Sequence, residues 1–331
     1  MEDLHLERVD YSVEPTIKLP SSEDIKFKDP FVTAKGEERA YVDLVNLETL
    51  WFNTGTLCNI TCQNCYIESS PRNDRLVYLT HEEVLSYLNE IETQQLGTRE
   101  VGITGGEPFM NPDIIKIMRS VLERKLQLIV LTNAMRPMMR FTKELLKLLE
   151  EFGPSFTLRV SVDHYKTKLH EEERGKNTWK PMLEGLQWLC QNGFDIDIAG
   201  RTRWHENEED LRAGYASFFE DNGIALDAHD KKKLVLFPEM KRNKPTPEIT
   251  TQCWSILNVN PDDIMCATSR MIVKRKGAEK PSVIACTLLP YDPQFEYAST
   301  LENSAKRVQL NHRFCSEFCV AGGGACSVKE G

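Results

Sequence analysis

The sequence contains no long apolar run and no excess of positive charge. None of its hydrophobic stretches approaches the roughly 18 residues needed to span a bilayer, so no membrane-spanning helix is predicted. The first ten residues, MEDLHLERVD, mix charged and apolar side chains and lack the apolar segment of a signal peptide, which predicts a cytoplasmic protein. The formal net charge of −9 argues against a broad nucleic-acid-binding surface.

Short apolar runs alternate with longer helical patterns through the middle of the 331-residue chain. Its 40% hydrophobic and 27% charged residues are typical of a soluble globular protein. The runs are LWFN (50–53), EVGIT (100–104), LQLIVLT (126–132), FTLRVSV (156–162), FDIDIAG (194–200) and KLVLFP (233–238). Several are apolar on both faces, which is typical of parallel strands covered by helices. Six such strands favour an α/β fold with a partial (β/α)6 TIM-like barrel over a doubly wound sheet.

Helix signals separate these runs. Thr80 and Glu83 form a capping-box pattern before the first apolar stripe of helical spacing. Later stripes end at Gly153, Gly193 and Gly223, as expected for helix C-termini.

The alternating pattern breaks after about residue 239, where Lys, Arg and Pro cluster. We therefore expect an N-terminal arm over residues 1–44, a barrel domain over residues 45–240 and a smaller cysteine-rich domain over residues 241–331. The arm is too short to form an independent core. The last domain holds six of the ten cysteines.

The first three cysteines lie within eight residues of one another, directly after the first predicted strand. Loops that short are poor disulfide partners, so Cys58, Cys62 and Cys65 are predicted as metal ligands. Three thiolates can bind three irons of a [4Fe–4S] cubane and leave the fourth iron open for a cofactor or substrate. A zinc knuckle with His81 as fourth ligand is the alternative, although His81 falls at the start of the first predicted helix.

A second motif, ITGGEPFMNP, follows the second strand. Gly105 and Gly106 lack a Cβ and let backbone groups approach a ligand closely. Glu107 offers a carboxylate to an ammonium group. Taken alone, a Gly-Gly-Glu sequence after a strand is usually only a turn.

Together, the two motifs resemble those of the radical S-adenosylmethionine (SAM) superfamily. The cysteines match its C-x3-C-x2-C cluster motif, and Gly105, Gly106 and Glu107 match the motif that holds the methionine amino group of SAM. The resemblance implies a barrel in which SAM chelates the fourth iron. It also implies that a reducing partner such as flavodoxin or ferredoxin drives cleavage of SAM to a 5′-deoxyadenosyl radical, which abstracts hydrogen from a substrate.

The same resemblance implies further contacts to SAM. The residues concerned are Tyr66, through a backbone contact to adenine, Asn133 after the third strand, Ser161 and Asp163 after the fourth, Arg174 in an H-x3-R-G stretch, and Arg201 after the fifth. For Arg201 a surface ion pair is the alternative. His164 and Tyr165 stand where the family usually has Gly-Pro and are expected to point toward the substrate, with a solvent-facing loop as the alternative for His164.

The C-terminal cysteines resemble those of the twitch/SPASM extensions of the superfamily. The resemblance implies one auxiliary [4Fe–4S] cluster, bound by the cysteines on either side of a predicted β-hairpin and by two of three later ones. These five are Cys266, Cys286, Cys315, Cys319 and Cys326. A zinc site, with His312, or free thiols are the alternatives. Cys190 lies in an apolar helical stripe and is predicted to belong to the core, while Cys253 is left unassigned.

The resemblance implies an enzyme that abstracts hydrogen from a small molecule or a peptide, leading to oxidation or bond formation. The N-terminal arm is too short for a leader-binding winged-helix domain, which favours a small molecule. A SPASM-type peptide maturase is one alternative. A non-catalytic iron–sulfur electron-transfer protein is another, which the intact motifs argue against.

Overall fold

The computed structural model describes residues 25–240 and 245–324. Its strands are β1 (Tyr41–Val42), β2 (Thr49–Asn53), β3 (Glu100–Thr104), β4 (Gln127–Thr132), β5 (Phe156–Ser161), β6 (Asp195–Arg201), β7 (Leu234–Phe237), β8 (Ser269–Val273), β9 (Ser282–Ile284) and β10 (Val308–Gln309). The helices are α1 (His81–Gln94), α2 (Ile114–Glu123), α3 (Arg136–Met139), α4 (Thr142–Phe152), α5 (Thr167–Arg174), α6 (Trp179–Gln191), α7 (Glu208–Asp221) and α8 (Cys253–Leu257), and a π-helix spans Cys315–Val320.

Strands β2 to β7 are parallel and lie side by side in sequence order, with helices between successive strands. The predicted α/β fold with a partial TIM-like barrel is therefore confirmed. Each predicted apolar run matches a strand to within one residue at either end. Helix α5 was not predicted, because its sequence TKLHEEER carries no apolar stripe.

Successive side chains along a strand point to opposite faces of the sheet and so pack in two different cores. Leu50 and Phe52 of β2 belong to the core between sheet and helices, together with Val84 of α1. Trp51, between them in sequence, faces the other way and packs with Ile129 and other apolar side chains inside the barrel. This is the period of two expected when both faces of a strand are covered.

Helix α1 begins where its capping box predicts. The Thr80 side chain accepts from the Glu83 backbone nitrogen at 3.2 Å, and the Glu83 carboxylate accepts from the Thr80 backbone nitrogen at 3.0 Å. Cys190 of α6 packs against the main core, as predicted. No helix in the described part of the chain is both long enough and apolar enough to cross a bilayer.

The predicted C-terminal hairpin exists and extends the barrel sheet. Strand β8 pairs in parallel with β2, and β9 pairs antiparallel with β8, so the sheet order is β7-β6-β5-β4-β3-β2-β8-β9. Near the N-terminus, β1 pairs antiparallel with β10. Cys266 precedes β8 and Cys286 follows β9, so these two cysteines flank the hairpin that adjoins β2, the strand that leads into the first cysteine motif. The proposed domain limits stay a prediction, and residues 1–24 and 241–244 lie outside the described residues.

Candidate active site

A cavity lies at the carboxyl ends of the parallel strands, where the active sites of βα barrels occur. The segments after β2, β3, β4 and β5, residues of β6 and β7, and helix α5 contribute to it. Eleven predicted site residues line it: Cys58, Cys62, Cys65, Tyr66, Gly105, Gly106, Asn133, Ser161, Asp163, Arg174 and Arg201. The structure therefore brings together nearly the whole predicted SAM site, while the role of each residue stays a prediction.

The three cysteines of the first motif lie on an irregular loop between β2 and α1. The Cys65 sulfur accepts from the Ser69 backbone nitrogen at 3.2 Å. Burial raises the pKa of the Cys58 thiol to about 12 and that of Cys62 to about 11, and the Arg174 guanidinium partly offsets both shifts. Since metal ligands must be thiolates, iron binding here has to displace protons.

The glycine pair lets the loops after β2 and β3 touch. A Cβ on Gly106 would lie 2.2 Å from Leu57 O, and one on Gly105 would lie 2.6 Å from Gly55 O. With no Cβ in the way, the Gly106 backbone nitrogen donates to Gly55 O at 2.8 Å and the Glu107 nitrogen donates to Leu57 O at 3.2 Å. The requirement for glycine therefore comes from the cysteine loop as well as from any ligand.

Glu107 lies behind the cavity lining and is 2% exposed. Its carboxylate accepts from Thr132 Oγ1 at 2.8 Å and from the Asn133 backbone nitrogen at 2.9 Å. Burial raises the pKa of Glu107 to about 7, although these hydrogen bonds oppose the shift. Asn133 in turn donates to Asn59 Oδ1 at 2.9 Å, so Glu107 positions a turn that contacts the cysteine loop.

A buried ion-pair network forms another part of the cavity lining. Arg174 donates to both oxygens of Asp163, at 2.7 and 3.2 Å, and Arg201 lies 3.6 Å from the same carboxylate. Burial opposes ionisation of Asp163, but the two guanidinium groups outweigh it and hold the pKa of Asp163 below its ordinary value.

Arg201 reaches from this network to the cysteine loop. It donates to Asn64 O at 2.9 Å, pairs with Glu239 at 3.2 Å, and stacks over the Tyr66 ring at 4.5 Å. Arg201 is 7% exposed, so the alternative of a surface ion pair is wrong.

Glu173 is a residue of the site that sequence reasoning missed. Its carboxylate accepts from Asn64 twice, from the backbone nitrogen at 2.8 Å and the side-chain nitrogen at 2.9 Å, and also binds Arg203. Its backbone oxygen accepts from the Gln63 nitrogen at 2.7 Å. The available signal was its place beside Arg174 in the H-x3-R-G stretch. Without a predicted helix α5, that position could not be related to the cysteine loop.

His164 and Tyr165 do not line the cavity, contrary to the expectation that they point toward the substrate. His164 is fully buried, its Nε2 lies 2.5 Å from a Glu206 oxygen, and its Nδ1 accepts from the Lys166 backbone nitrogen. Tyr165 donates to Glu206 at 2.7 Å and packs over Gly214 of α7. Both residues therefore attach the loop after β5 to its neighbours, and a solvent-facing loop is also wrong for His164.

Comparison with known proteins identifies the domain that carries this site. Residues 52–212 match the family model of the radical SAM superfamily. By this similarity, residues 52–212 are identified as a radical SAM domain. This superfamily implies SAM and a [4Fe–4S] cluster as cofactors.

Relatives of the radical SAM domain include the antilisterial bacteriocin subtilosin biosynthesis protein AlbA of Bacillus subtilis, 29% identical over 143 residues. The GTP 3′,8-cyclase of Microcystis aeruginosa is 28% identical over 149 residues. The matches cover 43% and 42% of this chain but only 30% and 42% of the relatives, so the chain spans less than half the length of either.

Among solved structures, SuiB of Streptococcus suis has a similar fold. Its SAM-bound structure matches with a TM-score of 0.54 and 15% identity over 77% of this chain and 64% of SuiB. The structure of SuiB bound to the precursor peptide SuiA matches with the same score and identity over 85% of this chain and 67% of SuiB. At this level of identity the likeness concerns the fold alone.

The cysteines that follow the radical SAM domain in sequence form a second set, which the fold also brings together. Cys266 and Cys315 are buried in one hydrophobic cluster, against which Cys253, Cys286 and Cys319 pack. Burial raises the pKa of Cys266 to about 11 and that of Cys315 to about 12, and Cys266 adds to the shift of Cys315. Four of the five predicted ligands are thus collected in one region, while Cys326 lies outside the described residues.

Across residues 25–240 and 245–324, no three Cys, His, Asp or Glu side chains come close enough to share a single metal ion. A [4Fe–4S] cubane does not require ligands that close together, because each thiolate binds its own iron. Around the first set, three cysteines line one cavity together with the glycine pair, and Arg174 offsets negative charge. These residues fit a cluster held by three thiolates.

Proposed function

We propose that this chain is a radical SAM enzyme that abstracts hydrogen from a peptide or small-molecule substrate at a cluster held by Cys58, Cys62 and Cys65. The observation that carries this proposal is that the three cysteines line one cavity with eight of the predicted SAM contacts. When bound and reduced, such a cluster supplies the electron that cleaves SAM to a 5′-deoxyadenosyl radical.

Each part of the lining has a proposed task toward SAM. Gly105 and Gly106 leave room for its methionine moiety beside the cysteine loop. Glu107 accepts a hydrogen bond from the amino group of SAM. Its carboxylate is buried, and a buried carboxylate favours a cationic partner such as this ammonium group. Asp163, held ionised between Arg174 and Arg201, faces the ribose and carboxylate end.

We further propose that the C-terminal region is a twitch/SPASM-like extension with one auxiliary [4Fe–4S] cluster. Cys266, Cys286, Cys315 and Cys319 are the proposed ligands, since they share one buried cluster and two of them lie on the same π-helix. Four protein thiolates saturate a cubane, which suits an electron acceptor.

A peptide is the favoured substrate class. AlbA is a bacteriocin biosynthesis protein, and SuiB has been solved with the precursor peptide SuiA. Both similarities support a peptide substrate over a metabolite. The GTP 3′,8-cyclase relative supports a small molecule as the second candidate.

The proposal is tested on anaerobically reconstituted protein by measuring 5′-deoxyadenosine after reduction in the presence of SAM. The wild-type protein should bind about eight irons, from two cubanes, and release 5′-deoxyadenosine. Cys58→Ala should lose one cluster and all SAM cleavage, while the core variant Cys190→Ala should retain both. A wild-type protein with two clusters and no 5′-deoxyadenosine would instead indicate an electron carrier.

A further inference from the structure

Part of the cavity lining is apolar, and the proposed function does not use it. Its side chains are apolar and come from the barrel, from the loop after the third cysteine, and from the C-terminal region. They are Trp51, Ile67, Leu131, Phe237, Leu288 and Phe318. We call these six residues the apolar wall.

The apolar wall is built from the same segments as both cysteine sets. Ile67 lies two residues after Cys65. The Leu288 backbone nitrogen donates to the Cys286 sulfur at 3.3 Å. Phe318 lies on the π-helix between the two cysteines of that element and stacks on Phe237, with ring centroids 5.9 Å apart. A group held against this wall therefore sits between the two cysteine sets.

The charges of the cavity are already matched. Its charged side chains, among the described residues that line it, are Asp163, Arg174 and Arg201. Arg174 lies 2.7 Å from Asp163, and Arg201, 3.6 Å from the same carboxylate, also pairs with Glu239 at 3.2 Å, so that each guanidinium group has a carboxylate partner. A charged group placed against the apolar wall would lose its hydration without gaining a counterion, which is strongly unfavourable.

We propose that the apolar wall binds an uncharged hydrophobic amino-acid side chain of the substrate and is thus the specificity surface of the enzyme. The inference rests on the proposed function and deepens it, since it assigns the reacting part of the substrate to a chemical class. An aliphatic or aromatic side chain buries its own apolar area here and presents C–H bonds to the SAM side of the cavity.

The test uses wild-type protein reconstituted with iron and incubated with SAM without a reductant, so that no turnover occurs. The probes are N-acetyl-leucinamide and N-acetyl-phenylalaninamide, compared with N-acetyl-lysinamide and N-acetyl-glutamic acid amide. Binding is measured by saturation-transfer NMR. The apolar probes should bind about tenfold more tightly than the charged ones, as burial of one hydrophobic side chain predicts.

Substitutions in the apolar wall test whether the probes bind there. Phe237→Asp should weaken binding of the leucine probe about tenfold, whereas the control Phe237→Leu should stay within about twofold. Phe237 is half-buried, which leaves space for the carboxylate. If Phe237→Asp fails to fold, Leu288→Asp, with Leu288→Met as its control, takes its place.

Equal or tighter binding of the charged probes, absence of binding by every probe, or an unchanged affinity in both aspartate variants would overturn the assignment. Failure of the proposed function has a different signature, namely wild-type protein that binds neither iron nor SAM. The relative affinities of the probes are measured independently of iron binding and SAM binding.

Discussion

Glu107 is a single residue with a structural role and a proposed ligand. Its hydrogen bonds to Thr132 and Asn133 hold the turn after β4 in place, and the proposed function gives it the amino group of SAM as a partner. The turn touches the cysteine loop through Asn133 and Asn59. A change at Glu107 is therefore expected to act on SAM binding first, because the cysteines keep their own anchors.

Glu107→Gln should leave the iron content unchanged and weaken SAM binding. Loss of a charge-assisted hydrogen bond costs about 1.5–3 kcal/mol, or about ten- to hundredfold in the dissociation constant. Equilibrium dialysis with labelled SAM measures the change, and Glu150→Gln, on an exposed position of α4, is the control. A variant that binds SAM as tightly as the wild type would remove Glu107 from the site.

His170 is a second residue with an unusual setting. It is fully buried, and neither ring nitrogen has a hydrogen-bond partner among the described residues. Burial, with a smaller effect from Arg174, lowers the pKa of His170 to about 3. The unfolded chain, with an ordinary histidine pKa near 6.5, therefore binds a proton between about pH 3 and 6.5 that the folded chain does not bind.

The folded state should consequently lose stability as the pH falls through that window. At pH 5 the contribution of His170 amounts to about 2 kcal/mol relative to pH 7. His170→Phe, which keeps an aromatic ring against Trp179, should remove this part of the acid sensitivity. Urea unfolding of both proteins at pH 7 and pH 5 checks the prediction, and an identical pH dependence would contradict it.

At the scale of elements, α5 attaches the barrel to the cysteine loop. Glu173 is 1% exposed and receives both hydrogen bonds of Asn64, while Arg174, the last residue of the helix, binds Asp163. A short helix without an apolar stripe thus depends on polar contacts rather than on burial of an apolar face. These contacts fix the position of the loop between the second and third cysteines.

Glu173→Gln should lower both stability and the yield of cluster assembly. Removal of one partner from a buried ion-pair network costs about 3–5 kcal/mol, since Arg203 and Asn64 lose a charged acceptor. The adjacent Glu172→Gln, whose side chain is 45% exposed, should cost little. Thermal unfolding and iron content measure the difference, and equal effects of the two substitutions would show that Glu173 does not hold the loop.

At the scale of the whole molecule, the sheet connects the two cysteine sets. Strand β8 lies against β2, the strand that leads into Cys58, and the hairpin it starts ends just before Cys286. The proposed ligands Cys266 and Cys319 are some fifty residues apart in sequence yet pack in one cluster. Metal binding by such distant ligands is coupled to folding of the segment between them.

Cys266→Ala or Cys286→Ala should lower the iron content by about one cubane and make the C-terminal region more sensitive to limited proteolysis. Cleavage of SAM should persist at a reduced rate, because the first cysteine set is intact. One single substitution among Cys315, Cys319 and Cys326 should be tolerated, since a cubane needs only four ligands.

The zinc alternative makes a different forecast for the variant lacking Cys58, Cys62 and Cys65. That protein should be brown and keep the absorption of one cubane if the auxiliary cluster exists. A colourless protein that contains stoichiometric zinc would contradict the proposal.

The sequence by itself determined what depends on neighbours along the chain. Apolar periodicity predicted the six strands, the capping box at Thr80 predicted the start of α1, and the segment between Cys266 and Cys286 predicted the hairpin. The spacing of Cys58, Cys62 and Cys65 and the Gly-Gly-Glu motif could be recognised for the same reason, since each motif is a short continuous segment.

Only the tertiary structure decided which distant side chains meet. The bond from Asn64 to Glu173 and the sharing of Asp163 by two arginines join segments more than ten residues apart, and residue spacing contains no information about such pairs. The burial of His164 was missed because its acceptor, Glu206, comes from another loop. The apolar wall could not be predicted from the sequence either, because its residues come from the strands, the cysteine loop and the C-terminal region and meet only in the folded chain.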